Sequence, residues 1–176
     1  MNFTERTLSS NTIYEGKILK LKVEEVSLPN GDISSREIIE FPNSVSVIAL
    51  TEDNKVILVR QYRKPCEKEL LEIVAGKVDK GEDALNCAKR ELSEETGYTS
   101  EKWKKVASFY TTPGYSNEFM TMFIAFNVVK GKAHPDEDEF VEVVKIELKK
   151  FLKEVEEGRI IDAKTVMAAF YLKTII

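Results

Sequence analysis

The chain has 176 residues, of which 43% are apolar and 32% charged, and its formal net charge is −4. This composition predicts a soluble globular protein with its own hydrophobic core. The negative charge argues against a protein that binds nucleic acid through its phosphates. No apolar run approaches the roughly 20 residues of a membrane-spanning helix. The absence of a signal-peptide pattern, and two cysteines without a CxxC motif, favour a cytoplasmic location.

The predicted elements begin with two strands, at residues 18–28 and 33–41. The sequence Pro29-Asn30-Gly31-Asp32 between them is typical of a turn. Because an isolated hairpin is marginally stable, we expect this one to lie on the main domain or on a second subunit. We therefore divide the chain into an N-terminal strand and hairpin segment, 1–42, and a main domain, 43–176.

Strands and helices alternate irregularly along the main domain. Strands are predicted at residues 45–50, 55–61, 70–75, 103–110, 119–129 and 141–147. Two helices follow, at residues 149–157 and 163–172, with Gly158 between them. This order favours an α/β or α+β domain with a mixed sheet over a regular βαβ array.

A further helix is predicted in the middle of the chain, with Asp83 as its N-cap and Gly97 just beyond its end. At about 100° per residue, four apolar residues share one arc of this helix: Ala84, Leu85, Ala88 and Leu92. Glu95 falls inside the apolar arc, Glu91 lies at its edge, and Glu94 is further round.

Acidic residues on the buried side of a helix need a specific explanation, because an unpaired buried carboxylate is costly. Four acids are crowded into this loop and helix: Glu82, Glu91, Glu94 and Glu95. A charged helix of this composition is usually solvated. Here Glu95 lies inside the apolar arc and Glu91 at its edge, which argues against that interpretation. Carboxylate oxygens on a rigid helix favour Mg²⁺ or Mn²⁺ over zinc. Arg90, one turn before Glu94, is predicted to orient these acids.

The spacing of the segment from Gly76 to Gly97 resembles the Nudix box at every defining position. It contains glycine, five residues, Glu82, seven residues and then Arg-Glu-Leu-x-Glu-Glu-x-Gly, followed by an apolar residue. Nudix enzymes hydrolyse nucleoside diphosphates linked to another group. The resemblance implies an α/β/α sandwich with a mixed sheet, here with an N-terminal β-hairpin extension, in which the box forms a loop–helix–loop.

Three further features are similar to the ADP-ribose pyrophosphatase branch of that family. They are the sequence EIVAGK that leads into the box, Pro113 at 16 residues after Gly97, and the sequence EDEFVEV at residues 137–143. The resemblance implies Mg²⁺-dependent hydrolysis of ADP-ribose, a small nucleotide sugar, to AMP and ribose 5-phosphate, with Mn²⁺ as an alternative cation. It also implies a homodimer formed through the N-terminal hairpin.

The resemblance implies a set of metal ligands as well. Glu91, Glu95 and the backbone carbonyl of Ala75 would bind the metal directly, and Glu94 would contact it through water. Glu139 would be a further carboxylate on the metal side. Glu95 is accordingly counted among the catalytic residues.

The remaining site residues are also implied by the resemblance. Glu137 would be the general base, although a shift of one or two positions within its acidic loop stays open. Arg63 matches a substrate-binding arginine of the branch, and Arg36 is a weaker match that could serve a neighbouring subunit. Glu118 would face the substrate or a second metal. For both arginines, a surface charge without a role in binding is the alternative.

Two other functions stay open at this point. One is a house-cleaning hydrolase that acts on damaged nucleoside triphosphates or other nucleotide diphosphate derivatives. The other is a non-catalytic Nudix module that senses ADP-ribose. The position of Pro113 and the sequence of residues 137–143 argue against the first, and the complete set of box acids argues against the second.

Overall fold

The computed structural model describes residues 2–131 and 140–175. The chain forms two compact units. The first contains the residues up to Asn43 together with Phe109–Met120, and the second contains Ser44–Ser108 and the described residues from Thr121 onward. In the part of the chain that the structure describes, no helix is both long and apolar enough to cross a membrane.

The first unit is built on a three-stranded antiparallel sheet in the order β1-β2-β3. Its strands are β1 (Arg6–Glu15), β2 (Lys20–Ser27) and β3 (Ile33–Glu40). The sequence predicted β2 and β3 but missed β1, because its ten residues are mostly polar and all of them are exposed. The predicted hairpin is therefore present as β2 and β3, and β1 adds a third strand to it.

A loop before Phe119 is held against the end of β3 within this unit. The Ile39 N–H donates to the Tyr115 carbonyl at 2.7 Å, and the Asn117 N–H donates to the Ile39 carbonyl at 3.2 Å. The Asn117 side chain accepts a third bond from the Phe41 N–H at 2.8 Å. These bonds fix the loop that carries Pro113.

The second unit contains a seven-stranded sheet with the order β12-β5-β4-β10-β9, to which β6 and β7 add beside β5 and β4. Beyond β3, the described chain forms the strands β4 (Ser44–Leu50), β5 (Lys55–Arg63), β6 (Lys68–Glu72), β7 (Val74–Lys77), β8 (Tyr98–Thr99), β9 (Lys102–Tyr110), β10 (Phe119–Phe126), β11 (Val129–Lys130) and β12 (Glu142–Glu147). Its helices are α1 (Ala84–Thr96), α2 (Leu148–Glu156) and α3 (Ala163–Leu172). The short strands β8 and β11 pair with each other.

The predicted strand at residues 70–75 is two strands in the structure. Glu72 of β6 lies opposite Val59 of β5, whereas Val74 of β7 lies opposite Val47 of β4. The chain therefore crosses from one neighbour to the other at Ile73. The predicted strand at 119–129 also ends early, because Asn127 adopts a positive φ of 53° after β10.

Both faces of the seven-stranded sheet are covered. On one face, alternate residues of β4 and β5 pack against α1; this cluster includes Val45, Val47, Ala49, Ile57, Val59, Cys87, Ala88 and Leu92. The intervening residues Val56 and Leu58 point to the opposite face and are also buried. On that face α2 contacts β5 and β12, and α3 contacts α2. The domain is an α/β sandwich with helices on both sides, as predicted.

Candidate active site

The helix α1 begins and ends where the sequence predicts. The Asp83 side chain accepts hydrogen bonds from the N–H groups of Leu85 and Asn86, which satisfies two of the unpaired donors at the N-terminus of the helix. Gly97 follows the last turn with a φ of 68°, a left-handed conformation that glycine adopts without strain. Because both ends of the helix are fixed, the helical repeat sets the direction in which each acid between them points.

The exposure of each acid agrees with its predicted position around the helix. Glu95 faces the protein interior and is 6% exposed. The Glu91 side chain is 14% exposed and that of Glu94 is 37% exposed. The predicted order, with Glu95 inside the apolar arc, Glu91 at its edge and Glu94 outside, is confirmed.

The Glu91 carboxyl group lies directly against the backbone of Gly76 on β7. A Cβ atom at position 76 would lie 1.9 Å from Glu91 Cδ and 2.0 Å from Oε1, so any other residue there would require the carboxylate to move. Ala75, whose carbonyl is a predicted metal ligand, is the residue before Gly76 and pairs with Ser46 of β4. The fold thus brings Glu91 beside the end of the strand that carries Ala75.

Arg90 connects the acids of the box. Its Nε and Nη2 donate to the two carboxylate oxygens of Glu82, each at 3.0 Å. Its Nη1 donates to Glu91 Oε1 and to Glu94 Oε2, both at 2.9 Å. The pKa of Arg90 is raised, mainly by its hydrogen bonds with Glu82. The same hydrogen bonds lower the pKa of Glu82 to about 2. One cation therefore holds three carboxylates close together.

Arg63 lies at the end of β5 and forms a bidentate pair with Glu72, which is 1% exposed. Its Nε and Nη2 donate to Oε1 and Oε2 of Glu72, each at 2.8 Å. These hydrogen bonds raise the pKa of Arg63, and the charges of Asp162 and Glu95 add to the shift. The predicted substrate-binding arginine is thus oriented by a buried carboxylate and lies within electrostatic reach of Glu95.

Sequence reasoning missed the residues around this pair. Lys164 at the start of α3 donates to Glu72 Oε2 and, at 2.9 Å, to Asp162 Oδ1. Burial would raise the pKa of Glu72, but the hydrogen bonds from Arg63 and the charge of Lys164 outweigh this effect, and the pKa is lowered. The available signal was a single acid within the apolar run LLEIVAG, since such an acid needs a buried partner.

The predicted residues Arg36 and Glu118 belong to the first unit. Arg36 Nε donates to Glu5 Oε2 at 3.0 Å, and its Nη1 donates to Ser34 Oγ and to the Ser35 carbonyl, each at 2.9 Å. Glu118 Oε2 accepts a bond from Thr111 Oγ1 at 2.6 Å. Both side chains therefore have partners within their own unit.

Glu137 and Glu139, the predicted base and the predicted fifth metal ligand, lie outside the described residues. Within residues 2–131 and 140–175, no three histidine, cysteine or acidic side chains lie close enough together to hold a metal ion. Both cysteines are free thiols. Burial raises the pKa of Cys87 to about 12, so this thiol stays protonated.

Two family models match the chain. Residues 40–168 match the family model described as the NUDIX domain, and residues 5–39 match the nucleoside diphosphate sugar hydrolase N-terminal domain. The chain is 47% identical over 171 residues to the ADP-ribose pyrophosphatase of Bacillus subtilis (strain 168), covering 96% of this chain and 92% of that protein.

A second relative of similar identity carries a different name. It is the methanol dehydrogenase activator of Bacillus methanolicus, 46% identical over 97% of this chain and 94% of that protein. Among solved structures, an ADP compounds hydrolase superposes with a TM-score of 0.86 at 22% identity, covering 99% of this chain and 95% of that one, which supports the fold. The family model spans most of the chain and contains the box acids described above. The chain therefore belongs to the Nudix family of hydrolases.

Proposed function

We propose that the protein is a Mg²⁺-dependent hydrolase that converts ADP-ribose into AMP and ribose 5-phosphate. The observation that carries this proposal is the 47% identity, over nearly the whole chain, to a protein named ADP-ribose pyrophosphatase. A second protein of that name, from Mycobacterium tuberculosis (strain ATCC 25618 / H37Rv), is 33% identical over 74% of this chain and 65% of that protein.

The donor set of the box suits Mg²⁺, with Mn²⁺ as a substitute. Glu91 lies in a gap that a side chain at Gly76 would fill, beside the carbonyl-bearing residue Ala75. Glu95, on the same helix, adds a second carboxylate, and hard divalent cations prefer such oxygen ligands. We propose Ala75, Glu91 and Glu95 as direct ligands. Glu94, which is more exposed, would act through water, and Glu139 would complete the set.

When bound, the cation would neutralise phosphate charge and lower the pKa of a bound water. The residues of the chain would hold and orient the reactants. Glu137 would accept a proton from the attacking water, whose oxygen bonds to one phosphorus while the bridging oxygen leaves with the other phosphate. Arg63, held in one orientation by Glu72, would stabilise the negative charge that grows on the diphosphate.

We also propose Arg36 and Glu118 as substrate-binding residues, and a cytoplasmic homodimer formed through the N-terminal segment 1–42, with 43–176 as the catalytic domain. Strand β1 supports the dimer, because all of its residues are exposed and they include Leu8, Ile13 and Tyr14. A second chain that covered this strand would remove that apolar surface from water.

A second candidate function is activation of a dehydrogenase. It is favoured by the methanol dehydrogenase activator, a relative whose identity to this chain is within one percentage point of that of the first relative. The test is to add the pure protein to a methanol dehydrogenase assay and measure the rate of alcohol oxidation. A rate that rises only when the box acids are intact would support this role.

A substrate panel tests the proposed function. We would measure kcat/KM with Mg²⁺ and with Mn²⁺ for ADP-ribose, ADP-glucose, GDP-mannose, NADH, diadenosine polyphosphates and an oxidised deoxynucleoside triphosphate. The proposal predicts the highest value for ADP-ribose, with AMP as a product. Faster turnover of the oxidised triphosphate would favour a house-cleaning enzyme. Complete inactivity on every compound would favour a ligand-sensing module.

A further inference from the structure

A group of four charged side chains, three of them largely buried, links the ends of β5 and β6 to the start of α3. We call it the α3 charge cluster, and it consists of Arg63, Glu72, Asp162 and Lys164. We propose that Lys164 is a positioning residue that acts through Glu72 to keep the charge of Arg63 available to an anionic substrate. The inference rests on the proposed function, in which Arg63 binds the diphosphate.

Two cations share the carboxylate of Glu72. This carboxylate is 1% exposed and accepts bonds from both Arg63 and Lys164. If Arg63 were its only partner, the guanidinium charge would be largely neutralised by the buried carboxylate. Lys164, whose side chain is also mostly buried, supplies a second positive charge at the same carboxylate.

Asp162 also accepts a bond from Lys164, but it has other partners of its own. It is the N-cap of α3, and its Oδ2 accepts the Thr165 N–H at 3.0 Å. The positive end of the helix dipole and these donors stabilise its negative charge. Because the helix N-terminus already offsets part of the negative charge of Asp162, the positive charge of Lys164 can also offset the carboxylate of Glu72.

The direction of Arg63 is set by its pair with Glu72. A bidentate pair fixes the plane of a guanidinium, and this pair uses Nε and Nη2, so Nη1 takes no part in it. The negative charge of Glu95 on α1 also acts on Arg63. Arg63 is therefore oriented by Glu72 and lies within electrostatic reach of Glu95 on the helix that carries the box acids.

Neighbouring contacts define the competing explanation, which is a purely structural role. Thr165 Oγ1 accepts the N–H of Ile73 at 2.9 Å, at the point where the chain crosses from β6 to β7. Loss of that contact would disturb the strand that carries Ala75. Substitution of Lys164 leaves Thr165 in place, so the two roles can be separated.

The test measures steady-state kinetics of Lys164→Met and Lys164→Gln at low salt. Each variant removes one positive charge near Arg63, and we expect KM for ADP-ribose to rise about tenfold while kcat changes less than about twofold. Lys164→Arg keeps the charge and should restore KM to within about threefold of wild type. Lys173→Met is the matched control, because Lys173 ends the same helix and pairs with the exposed Glu156; its KM should not change.

A binding measurement gives a readout that does not need turnover. The dissociation constant of a non-hydrolysable methylene analogue of ADP-ribose should rise in parallel with KM, and the difference from wild type should shrink at high salt. If Lys164→Met does not fold, Lys164→Gln alone carries the test. An unchanged KM and dissociation constant in a folded variant, or a loss confined to kcat and melting temperature, would overturn the inference.

The two proposals fail in different measurements. If wild-type protein prefers another compound of the substrate panel, the ADP-ribose assignment fails, and the ratio of KM values is measured on the preferred compound. In that case the inference about Lys164 is tested only by the ratio of the KM of the Lys164 variant to that of the wild type.

Discussion

The carboxyl group of Glu91 lies against the backbone of Gly76, so close that a side chain at position 76 would displace it. Gly76 is the first residue of the box and Glu91 lies fifteen positions later, on the opposite side of the loop that leads into α1. The contact explains in physical terms why the segment begins with glycine. In the proposed metal site, the strand carbonyl of Ala75 and the helix carboxylate of Glu91 would share one cation.

Replacing Gly76 by alanine should therefore displace Glu91. The new Cβ would clash with Cδ and Oε1 of Glu91, so we expect the Mg²⁺ concentration for half-maximal rate to rise at least about tenfold, and stability to fall by about 1–3 kcal/mol. Metal titrations of the rate, together with urea denaturation, measure both effects. Gly114→Ala is the matched control, since a Cβ atom added at Gly114 would meet nothing within 4 Å. Equal metal dependence in the two variants would contradict the assignment.

Replacing Arg90 by methionine should separate the acids that it connects. Glu82, Glu91 and Glu94 would lose a shared cation, and their mutual repulsion should cost about 1–3 kcal/mol of stability. High Mg²⁺ should recover part of this loss, because a cation bound among the acids would offset the missing charge. Thermal denaturation with and without Mg²⁺ measures both effects.

Arg60→Met provides the comparison for that experiment. Arg60 is exposed and forms an ion pair with Glu142 at 3.3 Å, so its loss should cost less than about 1 kcal/mol and show no response to Mg²⁺. A Mg²⁺ response of the same size in both variants would remove Arg90 from its proposed role.

The pair between Arg90 and Glu82 also predicts a pH dependence of stability. The folded-state pKa of Glu82 is about 2, below its ordinary value of 4.5, so the unfolded chain takes up a proton first as the pH falls. The stabilising contribution is complete above about pH 4.5 and is lost progressively towards pH 2. The free energy of unfolding of Glu82→Gln should therefore fall less steeply than that of wild type over this interval. Parallel curves would refute the prediction.

The proposed dimer can be tested on strand β1. Ile13→Asp places a charge on an exposed apolar position of this strand, and we expect the mass measured by analytical ultracentrifugation to fall from that of two chains to that of one. Ile175→Asp, at an exposed isoleucine in the second unit, should leave the mass unchanged. A wild-type protein with the mass of one chain would contradict the dimer directly.

Sequence reasoning succeeded where structure depends on neighbouring residues. The phase of Glu91 and Glu95 on α1 follows from the helical repeat, and the caps at Asp83 and Gly97 follow from local backbone chemistry. The helix α3 was predicted with its observed bounds for the same reason, since its first and last residues coincide with the limits of its apolar pattern.

Prediction from the sequence failed where structure depends on pairing between distant residues. Strand β1 carries no apolar alternation, and only its pairing with β2 makes it a strand. The break between β6 and β7 arises because Ile73 lies where the chain changes strand partners. The second partner of Glu72, beside Arg63, is Lys164, 92 positions away, and no local pattern indicates that contact.

The most direct test of the central claim compares AMP release from ADP-ribose by wild-type protein and by Glu95→Gln, in Mg²⁺, at equal folded concentration. Glu95 is buried on the helix and is proposed as a metal ligand and catalytic residue, and the amide removes its charge without changing its size. We predict a rate at least about 100-fold below wild type. Glu101→Gln, at an exposed position, should keep the full rate. AMP release by Glu95→Gln at the wild-type rate would contradict the account.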